Sequence, residues 1–106
     1  MSTLYISEFS SQGVSILAGS PTTSWPIPAP LTPSVIDQAV EISGTSAQSS
    51  AFNAATTFVL LNTDSTCSIA FGSSPVATVD NARMGANETR FYSVFPGQKV
   101  AVISNV

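Results

Sequence analysis

The side chains that could perform catalysis are few in this sequence and are not grouped. Histidine is absent, and Cys67 is the only cysteine among the 106 residues. Without histidine the chain lacks the commonest general base, and a cysteine nucleophile would have no imidazole to activate it. Because Cys67 lies on the same predicted strand face as Ile69 and Phe71, we expect it to be a small core residue rather than a reactive thiol. A single cysteine also excludes a disulfide within the chain.

The acidic residues offer no better site. Asp37 and Glu41 are four positions apart and would be neighbours only on a helix. A calcium site needs several oxygen ligands from one loop. The loops at 62–64 and 80–81 each contain one Asn and one Asp, without a recognised ligand spacing. We therefore predict no catalytic residue, no metal and no cofactor, and a protein that is not an enzyme.

The composition is unusually poor in charge. Three basic and six acidic residues make 8% of the chain charged, against about 25% in typical soluble domains. Serine and threonine, 29 in all, must supply most of the polar surface, and the mean hydropathy is +0.31. Three scattered basic residues cannot neutralise the phosphates of a nucleic acid, so we exclude nucleic-acid binding.

Low charge on a small domain favours association with other protein. A domain of this size buries roughly 60–70% of the surface that its unfolded chain exposes. One interpretation is a monomer coated with Ser and Thr; the other, which we prefer, is a chain whose apolar excess is covered by copies of itself or by a lattice. No apolar run has the length of a membrane helix and residues 1–10 have no signal-peptide pattern. We therefore expect no membrane partner, and a protein that is made and kept in a cytosol or released from it by lysis.

Short apolar segments separated by turns predict a single all-β domain over residues 1–106, either a β-sandwich or a jelly-roll-like barrel. Strands are expected at Thr3–Ser7, Gly13–Ala18, Thr57–Leu61, Cys67–Phe71, Glu88–Val94 and Lys99–Ser104. The segment Gln38–Ile42 alternates as a strand, although Pro33–Ile42 also fits a helix, and we prefer the strand. Thr57–Leu61 is apolar on both faces, which predicts burial on both sides. Pro96-Gly97 fits a type II turn and predicts a hairpin of the last two strands.

A proline-rich segment at 21–33 breaks this pattern. It holds five of the seven prolines, with Trp25, Ile27 and Leu31 between them. Proline fixes φ and lacks a donor, so we expect an extended arm or loop of polyproline II type that is absent from any central strand. The three apolar side chains need a surface to cover: either an open edge of their own sheet or a neighbouring subunit. We favour the neighbour and add Leu4 and Ile6 of the N-terminal strand to the proposed subunit interface.

Three passages carry a resemblance to a known family. They are Met1–Phe9, Asp64–Gly72, and the C-terminal part that runs from Arg83–Thr89 through Phe95–Ile103. Together they cover about half of the chain and resemble small virion proteins of tailed bacteriophages, of the capsid decoration or cement type. The proline-rich segment has no counterpart in this resemblance.

The resemblance implies a non-enzymatic β-sandwich or jelly roll on the capsid surface. Such a protein would form a homo-oligomer, a dimer or a trimer, and would bridge subunits of the major capsid protein. A head–tail or tail subunit of the virion is the first alternative. A carbohydrate- or surface-binding module is the second, and it would need exposed aromatic side chains, for which Tyr5, Trp25 and Tyr92 are the candidates.

Overall fold

The fold is all-β in the described part of the chain. The computed structural model describes residues 2–10, 12–16, 24–30 and 33–105, with the backbone alone for 12–16 and 24–30. Ten strands follow one another: β1 Ser2–Phe9, β2 Gln12–Ile16, β3 Ser24–Pro30, β4 Ile36–Ile42, β5 Ala47–Gln48, β6 Phe58–Thr63, β7 Cys67–Gly72, β8 Ala82–Met84, β9 Thr89–Ser93 and β10 Lys99–Ser104. Within these residues no helix could cross a membrane.

Eight of the strands form two antiparallel sheets of four. Sheet I has the order β4-β1-β6-β9, and sheet II has the order β5-β10-β7-β8. Every neighbouring pair in both sheets is antiparallel. The two sheets enclose one hydrophobic core, so the all-β class and the small β-sandwich expected from the sequence are confirmed.

The core is built from alternate residues of each strand, because successive side chains of a strand point to opposite faces. Leu4 and Ile6 of β1, Val59 and Leu61 of β6, and Val100 of β10 are all 0–1% exposed. This burial corrects the expectation for Leu4 and Ile6 as interface residues. Both lie between the sheets of their own chain, where they stabilise the fold and offer no surface to a neighbour.

Two further expectations need correction. The turn at Pro96-Gly97 exists, and Gly97 has the positive φ of 85° that favours glycine. However, β9 belongs to sheet I and β10 to sheet II, so the turn passes between the sheets and makes no hairpin. The segment Thr57–Leu61 is not buried on both sides: Val59 and Leu61 are buried, whereas Phe58 and Leu60 are half-buried on the other face. The preferred strand at Gln38–Ile42 is confirmed as part of β4.

The proline-rich segment contributes β3, which pairs with β2 as an antiparallel two-stranded ribbon. The described part is therefore a β-strand and not an isolated polyproline II helix, although it is extended and lies in neither large sheet. Pro26, Pro28 and Pro30 occupy alternate positions of β3, and its pairing with β2 is irregular between Gln12 and Val14. The molecule measures 55 × 26 × 22 Å, an outline that fits a ribbon extending beyond the sandwich.

Candidate functional site: an apolar stripe on the outer face of sheet I

Sheet I carries an aromatic surface on the face that points away from the core. We call it the outer stripe, and it comprises Tyr5, Phe9, Phe58, Leu60 and Phe91. The register places Phe9 beside Phe58 and Leu60 beside Phe91, so neighbouring strands β1, β6 and β9 contribute adjacent side chains. Cross-strand neighbours of this kind are close enough to pack directly.

Ring contacts join Phe9, Phe58 and Phe91 of the outer stripe across three strands. The Phe9 and Phe58 rings stack at 5.4 Å between centroids and 21° between planes, and Phe58 meets Phe91 at 6.0 Å and 50°. Phe9 is itself buried in this arrangement, whereas Tyr5 and Phe91 are 51% and 54% exposed. No residue of the stripe is charged, so its surface can be removed from water without stripping an ion of its hydration.

A second aromatic group lies between the sheets and belongs to the core. Phe52, Phe71 and Tyr92 form it, with centroids 6.5 Å apart for Phe52 and Phe71 and 5.0 Å apart for Phe71 and Tyr92. We call it the inner trio. Tyr92 and Phe91 are consecutive residues of β9, so one strand supplies both groups.

The edge of sheet I next to the outer stripe is fixed by Arg90. Its guanidinium contacts the Glu88 carboxylate through Nε and donates to the Tyr92 hydroxyl at 3.2 Å and to the Arg83 carbonyl at 2.8 Å. The hydrogen bond from Arg90, followed by the one from the Gly85 N–H, holds the pKa of the Glu88 carboxyl below its usual value. The same contact with Glu88, and then that with Tyr92, raises the pKa of Arg90.

Glu8 is a fully buried carboxylate at the end of β1. Its Oε1 accepts from the Asn53 N–H at 2.8 Å and from the Thr56 hydroxyl at 2.7 Å, and its Oε2 accepts from Gln38 Nε2 at 2.7 Å. Gln38 in turn accepts from the Ser50 N–H at 2.9 Å. Because every oxygen is satisfied within the protein, this carboxylate fastens the loop after β5 to sheet I and is not arranged to act on a substrate.

The expected position of Cys67 in the core is confirmed. It is fully buried, and its sulfur lies 3.6 Å from the Thr63 hydroxyl. Burial raises the pKa of the Cys67 thiol above its usual value, and the Thr63 contact opposes that shift. A thiol of raised pKa carries little thiolate at neutral pH and is a poor nucleophile.

The acidic residues do not converge on a metal position. In the described ranges no group of three His, Cys, Asp or Glu side chains could hold a metal ion. Asp37 and Glu41 lie on a strand and not on a helix, so about 13 Å separates their backbones. Asp64 and Asn81 support their own loops: Asp64 accepts from the Thr3 N–H at 2.8 Å and Asn81 accepts from the Thr78 N–H at 2.6 Å.

The aromatic candidates for sugar binding are not brought together. Tyr5 lies on the outer face of sheet I, whereas Tyr92 lies on the inner face against Phe71. Trp25 and Ile27 fall within β3, where only the backbone is described, and Leu31 lies outside the described residues.

The outer stripe is the surface that the sequence interpretation missed. Its signal was present, since the run Phe58–Leu61 is apolar on both faces and Phe91 alternates with Tyr92. Comparison of the chain with protein-family models, with curated proteins and with solved structures gave no match.

Proposed function

We propose that this chain is a non-enzymatic structural subunit of a virus particle, one that decorates the capsid of a tailed bacteriophage and stabilises it through apolar contacts. The resemblance of the three sequence passages supplies the class of protein. The outer stripe is the observation that supports the mechanism, because a contiguous exposed apolar patch on a small domain is typical of a surface that contacts other proteins.

The mechanism is burial of the outer stripe against the major capsid protein. Full burial of a large apolar side chain contributes about 1.5–3 kcal/mol, so Tyr5 and Phe91 together provide a modest contact. An oligomer on a symmetric lattice makes several such contacts at once, and linked contacts raise the overall affinity well above that of one. The β2–β3 ribbon, with Trp25, Ile27 and Leu31 in or next to it, is the arm that would reach an adjacent subunit.

Binding to heads tests the proposal. The purified chain is mixed with undecorated heads of the virus that encodes it and is co-sedimented. A variant that combines Tyr5→Ser and Leu60→Ser should bind at least about tenfold more weakly, since it removes two apolar side chains from the stripe. Val76→Ser is the matched control, because Val76 is 68% exposed and lies outside the stripe in the loop before β8.

Unfolding midpoints establish that both variants retain the fold. Failure of the unaltered chain to bind undecorated heads would remove the decoration function. Location of the subunit at the neck or tail in an electron-microscopy map of the particle would replace it with the tail-subunit alternative. Equal binding by the stripe variant and the control would leave the function standing and exclude the outer stripe.

A further inference from the structure

The edges of sheet I are formed by β4 and β9. Of the two, β9 is less protected against pairing with a further strand. The ladder between β6 and β9 is bounded by two hydrogen bonds, from the Thr63 N–H to the Glu88 carbonyl at 3.2 Å and from the Val94 N–H to the Thr57 carbonyl at 3.0 Å. Backbone groups of successive residues point to opposite edges of a strand. The even-numbered residues from 88 to 94 therefore bond to β6.

The odd-numbered residues of β9 consequently direct their backbone groups outward. These are Thr89, Phe91 and Ser93, and β9 has no neighbour other than β6 among the described strands. None of their N–H groups is hydrogen-bonded to another described residue outside the ladder. An open row of three donors and three acceptors is a template for another strand.

The opposite edge, β4, is protected by charge. The ladder between β1 and β6 includes the bond from the Asp64 N–H to the Thr3 carbonyl, so the same alternation gives Asp37, Ala39 and Glu41 the outward positions on β4. Antiparallel pairing of two β4 strands about Ala39 would set Asp37 directly opposite Glu41 of the other copy, twice. Like charges directly opposite one another destabilise a pair of strands.

We propose that β9 pairs antiparallel with β9 of a second copy of this chain, so that two four-stranded sheets join into one sheet of eight. This pairing sets Thr89 against Ser93 of the second copy and Phe91 against its own counterpart about a two-fold axis. It satisfies all six outward backbone groups of each strand and brings no like charges into opposition. The proposal rests on the proposed assembly function and assigns the surface through which copies join.

The sequence of β9 is complementary to itself in this register. Arg90 falls opposite Tyr92 of the second copy, a pairing of a cation with an aromatic ring that is favourable. Arg90 is already held by Glu88, Tyr92 and Arg83 of its own chain, so the edge is ordered before pairing. Phe91 is half exposed and the two outer stripes become continuous across the axis, which removes apolar surface from water as the strands join.

Proline at an outward position tests the pairing without disturbing sheet I. Ser93→Pro removes an outward N–H, which takes no part in the ladder with β6, and an edge strand tolerates proline there. Ala39→Pro is the matched control, because Ala39 has the same outward orientation on β4. Sedimentation equilibrium should show a dimer for the unaltered chain and for Ala39→Pro. For Ser93→Pro the dissociation constant of the dimer should rise by about tenfold or more, since two hydrogen bonds across the axis are lost.

Amide hydrogen exchange provides a second measurement that needs no variant. The N–H groups of Thr89, Phe91 and Ser93 should exchange more slowly as the protein concentration rises, whereas those of Asp37, Ala39 and Glu41 should not change. The proposal would be overturned if the protein were a monomer at all concentrations. It would also be overturned if Ser93→Pro left the dimer unchanged and these amides exchanged freely. A monomer that still binds heads would disprove the pairing alone, and a dimer that ignores heads would disprove the decoration function alone.

Discussion

The inner and outer faces of sheet I are made by the same strands and contain similar residues, yet they have different roles. On the inner face, Tyr92 packs into the inner trio and Leu61 is fully buried. On the outer face, the preceding residues Phe91 and Leu60 lie in the outer stripe, where Phe91 is exposed and Leu60 is half-buried. Residue type therefore does not distinguish a core position from an outer-face position here, and only the second sheet decides which face lies in the core.

This difference separates the apolar surface that builds the fold from the apolar surface that lies on its outside. The inner face builds the core of the sandwich. The outer face adds less to folding, because Tyr5 and Phe91 keep about half of their surface in water. Two pairs of substitutions and one comparison with the unaltered chain test this difference. They are ordered from the largest expected effect on stability to the smallest.

The first pair is Leu61→Ala and Leu60→Ala, which change adjacent residues of β6 on opposite faces. Leu61→Ala should lower the free energy of unfolding by about 2–5 kcal/mol, because it opens a cavity in the core. Leu60→Ala should lower it by about 1 kcal/mol, since a half-buried side chain leaves no enclosed cavity. Urea denaturation measures both values, and equal losses would show that the outer stripe is covered in the isolated protein.

The second pair is Glu8→Gln and Glu41→Gln, which remove a carboxylate from each face. Glu8→Gln should lower the free energy of unfolding by about 1–3 kcal/mol, because the new amide N–H₂ group then faces a donor whose hydrogen bond the carboxylate oxygen had accepted. Glu41 is exposed on β4, so Glu41→Gln should change stability by at most about 0.5 kcal/mol. Thermal unfolding at constant pH measures both, and a small effect at Glu8 would mean that the loop after β5 is held by other contacts.

The third pair compares the unaltered chain with Glu88→Gln as the pH is lowered. The folded-state pKa of Glu88 lies below its usual value of 4.5. A depressed pKa of this kind contributes stability above the unfolded-state pKa, and that contribution is lost as the pH falls through the folded-state pKa. As the pH is lowered below 4.5, the midpoint of unfolding should therefore fall slightly less for Glu88→Gln than for the unaltered chain. The effect is the smallest of the three because the Glu88–Arg90 pair is exposed to solvent.

Local pattern predicted the longer strands of the two sheets, but it missed β3, β5 and β8 and did not reveal which strands pair. Alternation at Thr3–Ser7 and Lys99–Ser104 identified β1 and β10, since the two-residue period reports directly on a half-buried strand. The turn chemistry at Pro96-Gly97 identified a turn but could not tell which sheet receives the next strand. Sheet membership is decided by contacts between residues distant in sequence, and no local signal carries that information.

The same limit explains the errors at the candidate site. Leu4 and Ile6 were predicted to face a neighbouring subunit and are instead buried in their own core, because the pattern does not say whether the cover comes from the same chain or from another. The network around Glu8 was also not foreseen, because its partners Gln38, Asn53 and Thr56 lie 30, 45 and 48 positions away. The outer stripe became visible only when β1, β6 and β9 were placed side by side.

The alternate prolines of β3 have a consequence for copies that are crowded together. Three residues of β3, Pro26, Pro28 and Pro30, have no N–H to donate to a strand on either side, and the pairing with β2 is irregular between Gln12 and Val14. A foreign strand that approaches β3 finds no N–H group at those three positions. The strand β3 is therefore a poor template for a further strand, which disfavours fibres that grow by strand addition along it.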